Sequence, residues 1–260
     1  MIYEHDLNPV AIEFFSLKIY WYSLAYVFGF IFCNYYSKYL VKKKLLKLEL
    51  PIIDDFITWL IVAVLIGGRL GYVIFYNLDF YFKNPVEIFK IWQGGMSFHG
   101  ALLGVILLII FYSKIKEIKL SELANLVAYS SPIGIFLGRL ANFVNAELIG
   151  RPTDGTWGVL YKPELFARHP SQIYEAILEG LVIFLILNFF VRSNLRNKFN
   201  GYALFLVFYS FFRFNLEYFR EPDSHIGFII NNFSMGQILT LPMFIIGIVF
   251  LRNEKKLQNS

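Results

Sequence analysis

The sequence predicts an all-α integral membrane protein of about seven spanning helices, and three observations carry the prediction. First, 57% of the 260 residues are hydrophobic and only 17% are charged, against roughly 45–50% and about 25% in ordinary soluble domains. A soluble fold of this length could not hide so much apolar surface, so most of it is expected to face lipid. Second, the chain divides into seven apolar runs of spanning length. Third, the loops between those runs alternate in basic charge. At this length one polytopic domain over residues 1–260 is expected.

The elements follow in order. Ahead of Lys18 the leader carries Glu4, Asp6 and Glu13, whereas a secretory signal needs a positive start. The first apolar run is therefore expected to be retained. A spanning helix needs roughly 20 mostly apolar residues, and the runs that qualify are Lys18–Tyr39, Asp54–Tyr76, Gly95–Ser113, Leu120–Leu140, Ser171–Phe190, Gly201–Phe219 and Ser234–Arg252. Val86–Trp92 is too short to span and reads as an interfacial segment. Gly94-Gly95 marks a turn that re-enters the membrane. Residues 142–170, rich in Gly and Pro, form the longest polar stretch and read as a loop.

The loops orient the chain. Lys42, Lys43, Lys44 and Lys47 lie in the first, Lys114, Lys116 and Lys119 in the third, Arg192, Arg196 and Lys198 in the fifth, and Arg252, Lys255 and Lys256 in the tail. The second and sixth loops balance base with acid, and the fourth is mixed. The positive-inside rule then places the N-terminus outside, the C-terminus in the cytoplasm and the 142–170 loop outside; an even number of spans would break the alternation. The net charge of +5 does not point to nucleic acid, because the basic residues form no patch or helix stripe. The lone Cys33 excludes an internal disulfide and a cysteine metal site, and reads as a small packing residue.

Charge inside a span is costly and usually functional. In this topology Tyr22, Arg69, Tyr76, His99, Arg139, Asn142, Asn145, Glu147, Gln172, Glu175, Arg213, Glu217 and Arg220 all fall toward the outer ends of six helices. Each also has a plainer reading. Arg69 or Arg220 alone could snorkel to headgroups. Tyr22, beside Trp21, could belong to an aromatic belt. Arg213, Glu217 and Arg220 are spaced i, i+4, i+7, so they share one face that pairs internally or lines a cavity; Glu217 reads equally as a holder of the arginines and as a catalytic group. Glu179 finds no place in this scheme. Gly67, Gly68, Gly71, Gly100 and Gly104 suit close helix packing or the shaping of a site.

Arginine grips phosphate with two parallel hydrogen bonds and keeps its charge when partly desolvated. Histidine is the natural proton acceptor near neutral pH. Together they permit transfer from a phospholipid to a nucleophile such as a thiol. An enzyme and a transporter of anionic lipid both remain open on this chemistry, as does a scaffold that binds acidic headgroups.

The motifs are more specific. Gly138-Arg139-Leu140-Ala141-Asn142-Phe143-Val144-Asn145-Ala146-Glu147-Leu148-Ile149-Gly150-Arg151 resembles the signature of the prolipoprotein diacylglyceryl transferases. Gly68-Arg69-Leu70-Gly71-Tyr72 with Phe75-Tyr76-Asn77, Gly94-Gly95-Met96-Ser97-Phe98-His99-Gly100, and Arg168-His169-Pro170-Ser171-Gln172-Ile173-Tyr174-Glu175 resemble the same family. So do Phe212-Arg213 leading into Glu217-Tyr218-Phe219-Arg220-Glu221-Pro222-Asp223, and Ser234-Met235-Gly236-Gln237. The match runs in order from about Tyr20 to the last helix. Ala101 and Ser23 depart from it at positions where glycine is frequent, and the fourth loop is short.

The resemblance implies transfer of the diacylglyceryl group of phosphatidylglycerol to the lipobox cysteine of prolipoproteins, with release of glycerol 1-phosphate. It implies the bacterial cytoplasmic membrane, an outward-facing site, and no metal or organic cofactor. By the same resemblance Arg139 and Arg213 grip the lipid phosphate and His99 assists thiol deprotonation. Tyr22, Asn142, Glu147 and Gly150 match positions important for activity or lipid binding. Arg69, Tyr76, Glu217 and Arg220 complete the substrate-binding set.

Overall fold

The computed structural model describes residues 1–15, 17–222, 228–230 and 233–259. Asp223, which closes one of the motifs above, lies outside the described residues. The chain is a helical membrane protein organised as two compact units, one of Met1–Tyr36 with Val127–Ser260 and one of Ser37–Leu126. In chain order the helices are α1 (Trp21–Lys42), α2 (Leu50–Tyr76), α3 (Leu78–Lys83), α4 (Phe98–Ile115), α5 (Leu120–Val144), α6 (Ser171–Arg192), α7 (Gly201–Leu216) and α8 (Met235–Asn259). The chain passes from one unit to the other within α1 and within α5.

Five of these helices, α2, α4, α5, α6 and α8, are long and apolar enough to cross a membrane; α7 is apolar but shorter. Helix α1 has the length, at 22 residues, but its apolar run is broken by Asn34-Tyr35-Tyr36-Ser37-Lys38. No more than 39% of any apolar stretch is buried within the protein, so the rest, including Leu103, Phe111, Phe189 and Ile245, faces lipid. A medium without water favours helices because their backbone hydrogen bonds are satisfied internally; here Ser97 N–H also donates to the Gly68 carbonyl of α2 at 2.8 Å.

In the second unit, α2 starts on Leu50-Pro51, where proline suits the first helical turn. Ser97 caps α4 by accepting from the Gly100 N–H at 3.3 Å. The two helices meet on glycines. A Cβ on Gly67 would stand 2.5 Å from the Gly100 carbonyl oxygen, one on Gly71 2.6 Å from the Gly100 Cα, and one on Gly104 2.5 Å from the Ala63 carbonyl oxygen. Close packing therefore accounts for Gly67, Gly71, Gly100 and Gly104. Gly94 and Gly95, at φ +85 and +78, make the turn expected before α4. Between α2 and α4 lie α3 and two 3-10 turns, Pro85–Phe89 and Ile91–Gln93, and the stretch read as interfacial, Val86–Trp92, falls on the two turns.

In the first unit, α5 is the hub. A Cβ on Gly29 of α1 would lie 3.3 Å from the Gly134 Cα, and one on Gly180 of α6 would lie 2.6 Å from the Phe136 Cβ. Cys33 is buried with Sγ 2.9 Å from Ser130 Oγ, which fits the packing role. Tyr36 donates to Asn188 of α6 at 2.8 Å. Residues 176–182 of α6 are wound as a π-helix, continuous with α-helix on both sides.

The leader carries three short strands. Ile2–His5 (β1) pairs in parallel with Gly158–Tyr161 (β4), Ile2 opposite Gly158 and His5 opposite Tyr161. Val10–Phe14 (β2) and Leu17–Tyr20 (β3) form an antiparallel hairpin. The first helix accordingly begins at Trp21 and not at Lys18. Phe228–Ile230 (β5) pairs with Phe233–Ser234 (β6) just ahead of α8. The segment read as a loop, 142–170, thus contributes a strand that fastens the leader.

Candidate active site

The first unit gathers three arginines and three glutamates at one end of α5, α6 and α7. Arg139 comes from the last turns of α5. Glu175 and Glu179 lie four residues apart on α6, and both are fully buried. Arg213 is in the last turn of α7, with Glu217 as its C-cap and Arg220 in the turn beyond.

Glu175 is the centre of this cluster. Its Oε2 lies 2.9 Å from Arg139 Nε, and its Oε1 lies 3.0 Å from Arg213 Nη1 and 3.4 Å from Arg220 Nη1. The Arg139 approach is close but off the hydrogen-bond direction, because Oε2 has no donor aligned on it. Glu179 lies farther out, 3.4 Å from Arg139 Nη2 and 3.5 Å from Arg213 Nη1. Arg213 Nη2 reaches Glu217 Oε2 at 2.7 Å, the i, i+4 pair that the shared face predicts. Breaking one member of such a set would leave an uncompensated buried charge, costing about 3–5 kcal/mol.

Glu217 is itself held from α8. Ser234 Oγ donates to its Oε1 at 3.0 Å. A Cβ on Gly236 would meet Oε1 at 2.6 Å, so only glycine leaves room for this carboxylate. Gln237 closes the turn, accepting from the Ser234 N–H at 3.1 Å. Ser234, Gly236 and Gln237 therefore earn their places by fixing Glu217, and through it Arg213.

The chain leaving α5 turns through Ala146 and Leu148, both at positive φ. Asn142 donates to Glu147 Oε2 at 3.0 Å and Asn145 to its Oε1 at 3.3 Å; Gln172 donates to the Glu147 carbonyl at 2.6 Å. Gly150 is pinched between backbones: a Cβ there would lie 2.7 Å from the Phe219 carbonyl oxygen and closer still to that of His169. This lets the 150 segment bridge to Arg220. Arg151, which the motif includes without a role, donates to the Arg220 carbonyl at 2.9 Å and the Glu217 carbonyl at 3.2 Å. It thereby satisfies carbonyls at the C-terminal end of α7, where a cation is favoured.

Farther along the same loop, Arg168 pairs with Glu164 and, at 3.1 Å, with Glu221. The bond to Glu164 holds its guanidinium above the ordinary range against desolvation. Burial pushes the Tyr161 hydroxyl up to about 12.

Tyr22 stands half-buried on α1, its ring 5.4 Å from that of Tyr26. Arg139, Asn142, Glu147, Gly150, Arg213, Glu217 and Arg220 come together as described, and Tyr22 belongs to the same unit. Arg69, Tyr76 and His99 belong to the other. There Arg69 is nine-tenths buried and donates to five backbone carbonyls: Gly94 at 2.5 Å, Glu87 at 2.6 Å, Ile88 at 2.8 Å, Gly95 at 3.1 Å and Lys90 at 3.4 Å. Its guanidinium also lies 5.1 Å from the Tyr81 ring centroid. Arg69 does not snorkel; it organises the loop ahead of α4. His99 sits exposed in the first turn of α4, its ring 5.7 Å from that of Phe98. Tyr76 is exposed and stacks on Tyr72 at 5.4 Å.

The sequence reading leaves Glu179 out and gives Glu175 no role, although both prove central. The signal was present: two carboxylates four residues apart in an apolar helix share a face, and a charged face in a span needs partners. Among the described residues no group of three or more His, Cys, Asp or Glu is placed to hold a metal ion. The cluster presents rigid cationic forks whose charge is balanced internally, an arrangement suited to a singly charged phosphate.

Comparison with known proteins places the chain in a family. A family model described as prolipoprotein diacylglyceryl transferase matches residues 9–252. Proteins named phosphatidylglycerol–prolipoprotein diacylglyceryl transferase are similar over nearly the whole chain. That of Rickettsia canadensis (strain McKiel) is 43% identical over 245 residues, 93% of this chain and 95% of the relative. That of Rickettsia akari (strain Hartford) has the same identity and coverage. That of Rickettsia bellii (strain OSU 85-389) is 42% identical over 249 residues, 95% of each chain.

Proposed function

The chain belongs to the prolipoprotein diacylglyceryl transferase family, and we propose from that membership that it moves the diacylglyceryl group of phosphatidylglycerol to the lipobox cysteine of prolipoproteins. A thioether forms between the cysteine sulfur and the glyceryl carbon, the carbon–oxygen bond to phosphate breaks, and glycerol 1-phosphate leaves. This is the first step of lipoprotein maturation. The observation that carries the reading is the buried cluster in which Arg139 and Arg213, the two positions matching the family's phosphate-gripping arginines, share Glu175.

The mechanism is displacement at a saturated carbon, so sulfur and leaving oxygen lie in line. Arg139 and Arg213 neutralise charge growing on the leaving phosphate, an effect typically worth about 3–4 kcal/mol per well-placed donor. Arg220 and Glu217 support the fork of Arg213. Asn142, Glu147 and Gly150 shape the turn that follows Arg139, and Tyr22 and Tyr76 contribute lipid contacts. His99 assists removal of the thiol proton, for which an imidazole near neutral pH is suited. Arg69 acts as a positioning residue through the 87–95 loop. Holding two amphiphiles in one bilayer supplies proximity and orientation. The reaction draws on no metal or organic cofactor.

The chain works as one polytopic domain with seven spans, N-terminus outside and C-terminus cytoplasmic, in the bacterial cytoplasmic membrane. The alternation of basic loops supports this orientation, and the family match across both units supports the single domain. The active site faces the outer leaflet, where the 142–170 segment lies.

Purified chain in phosphatidylglycerol vesicles, given a peptide carrying a lipobox cysteine, tests the reading. Mass spectrometry is expected to show a diacylglyceryl adduct on that cysteine together with released glycerol 1-phosphate, both lost on Arg139→Ala. A folded preparation that binds lipid but forms no adduct would sink the proposal and favour a transporter, to be followed by flux across the same vesicles.

A further inference from the structure

Glu179 is buried completely on a helix that spans lipid, and no motif shared with the family assigns it a role. A carboxylate there is costly to keep unless it is paired. Its placement is built by the backbone. Gly180 lets α6 press on α5 at Phe136, with a hypothetical Cβ only 2.6 Å from the Phe136 Cβ. One helical turn on from Phe136 is Arg139, so the contact at Gly180 brings Glu179 alongside the Arg139 fork. The carboxylate also reaches Arg213 of α7, and so bridges two arginines carried by two helices.

Its bonds differ from those of its neighbours. Arg139 has a 2.9 Å contact with Glu175 and a 3.4 Å contact with Glu179. Arg213 has contacts of 2.7 Å with Glu217 and 3.0 Å with Glu175, but 3.5 Å with Glu179. Glu179 Oε1 has no hydrogen-bond donor aligned on it, a feature it shares with Glu175 Oε2 and Glu217 Oε2, so the distances are what set Glu179 apart. Both arginines thus have shorter contacts with other carboxylates and touch Glu179 by their longest ones, a single 3.4 Å hydrogen bond from Arg139 and an unaligned 3.5 Å approach from Arg213, which another anion can replace.

We propose that Glu179 is a placeholder carboxylate: it occupies the Arg139 and Arg213 forks when no phosphate is present, yields them to the lipid phosphate, and competes for them again as product leaves. The inference rests on the transferase reading given above. The product carries a phosphate monoester, which at neutral pH is more negative than the phosphodiester of the lipid and so is held harder by the same arginines. A fixed anion that re-engages them weakens that hold and speeds release. Glu179 is in this sense a positioning residue that acts on substrate only through the two arginines.

The test uses the full chain in phosphatidylglycerol vesicles with the lipobox peptide. Wild-type adduct formation is measured first, so that failure of the transferase reading is seen separately from failure of this inference. In Glu179→Gln the inhibition constant for added glycerol 1-phosphate is expected to fall roughly tenfold, with a lower KM for phosphatidylglycerol and a lower kcat. Glu179→Asp keeps the charge but withdraws it by one methylene, so its inhibition constant is expected to fall in the same direction by a smaller factor; this variant stands in if the glutamine chain does not fold. A role confined to structure would instead raise KM and the inhibition constant together and lower the melting temperature. That outcome, or unchanged product inhibition in folded variants, overturns the inference.

Discussion

Replacing Gly236 by alanine puts the site under a strain that can be worked through from the geometry. The new Cβ would stand 2.6 Å from Glu217 Oε1, 2.7 Å from Cδ and 2.9 Å from Oε2. To reach ordinary van der Waals contact the carboxylate must retreat by about 0.8 Å. It cannot do so and keep both partners. The Ser234 bond, 3.0 Å now, lengthens beyond hydrogen-bond range, a loss of about 1.5–3 kcal/mol for a bond to a charged group. The Arg213 fork, 2.7 Å away, shifts with it, and a displacement near 1 Å costs about a hundredfold in rate where geometry governs chemistry. Gly134→Ala is the control, since a Cβ there meets nothing within 4 Å. Initial rates of adduct formation and thermal melts of both variants, in the same vesicles, give the answer. Gly236→Ala with a rate within about twofold of Gly134→Ala would refute the claim that Gly236 exists to seat Glu217.

Two further predictions concern parts away from the arginine cluster. Arg69→Lys offers three donors where five carbonyls are served, so at least two bonds are lost, at a cost of about 3 kcal/mol; hydrogen exchange across residues 84–95 should quicken, and unchanged exchange would count against the anchoring role. Asp154 accepts from the Thr156 N–H at 2.9 Å and hydroxyl at 2.8 Å, which holds its carboxyl below the ordinary range. Because the folded value is the lower one, the turn keeps its support at neutral pH and loses it as pH falls through that depressed value. An NMR titration of Asp154 should show the depression, and Thr156→Val, which removes the hydroxyl but keeps the backbone N–H that contributes most, should abolish only part of it.

The helices were legible because lipid imposes a strong rule: long apolar runs read directly as spans. Their ends were less so. Lys18-Ile19-Tyr20 looks like the start of an apolar run, yet these residues pair with Val10–Glu13 as a strand, and no local periodicity distinguishes three residues of strand from a first helical turn. The β1–β4 pairing joins residues more than 150 apart, so nothing near either segment announces it. The i, i+4, i+7 face of Arg213, Glu217 and Arg220 was readable and the first pair forms, although α7 ends at Leu216 and not at Phe219. Arg69 was misleading for a physical reason. An arginine near a helix end has the same sequence appearance whether it reaches to headgroups or folds back on a loop, and only the position of the 87–95 carbonyls decides between them.

The arginine cluster also explains why the unit that holds it can fold in lipid before any phosphate arrives. An isolated charge in a bilayer span is expensive, and three arginines on α5, α7 and the turn after α7 would be prohibitive if left for substrate to neutralise. Three carboxylates placed among them remove that cost in the empty protein. Their spacing does this with little sequence: Glu175 and Glu179 are one turn apart on α6, and Arg213 and Glu217 are one turn apart at the end of α7, so complementary rows of charge mesh as the helices pack. Glu217, read from the sequence as either holder or catalyst, is seated by Ser234 and faces Arg213, which is the geometry of a holder. The same neutrality sets a requirement on what enters. A phosphate can take the arginines only by loosening bonds that already satisfy them, so binding strength is moderated from the start. In the proposed mechanism, a site that binds an anionic lipid and then lets go of a more highly charged product gains from that moderation.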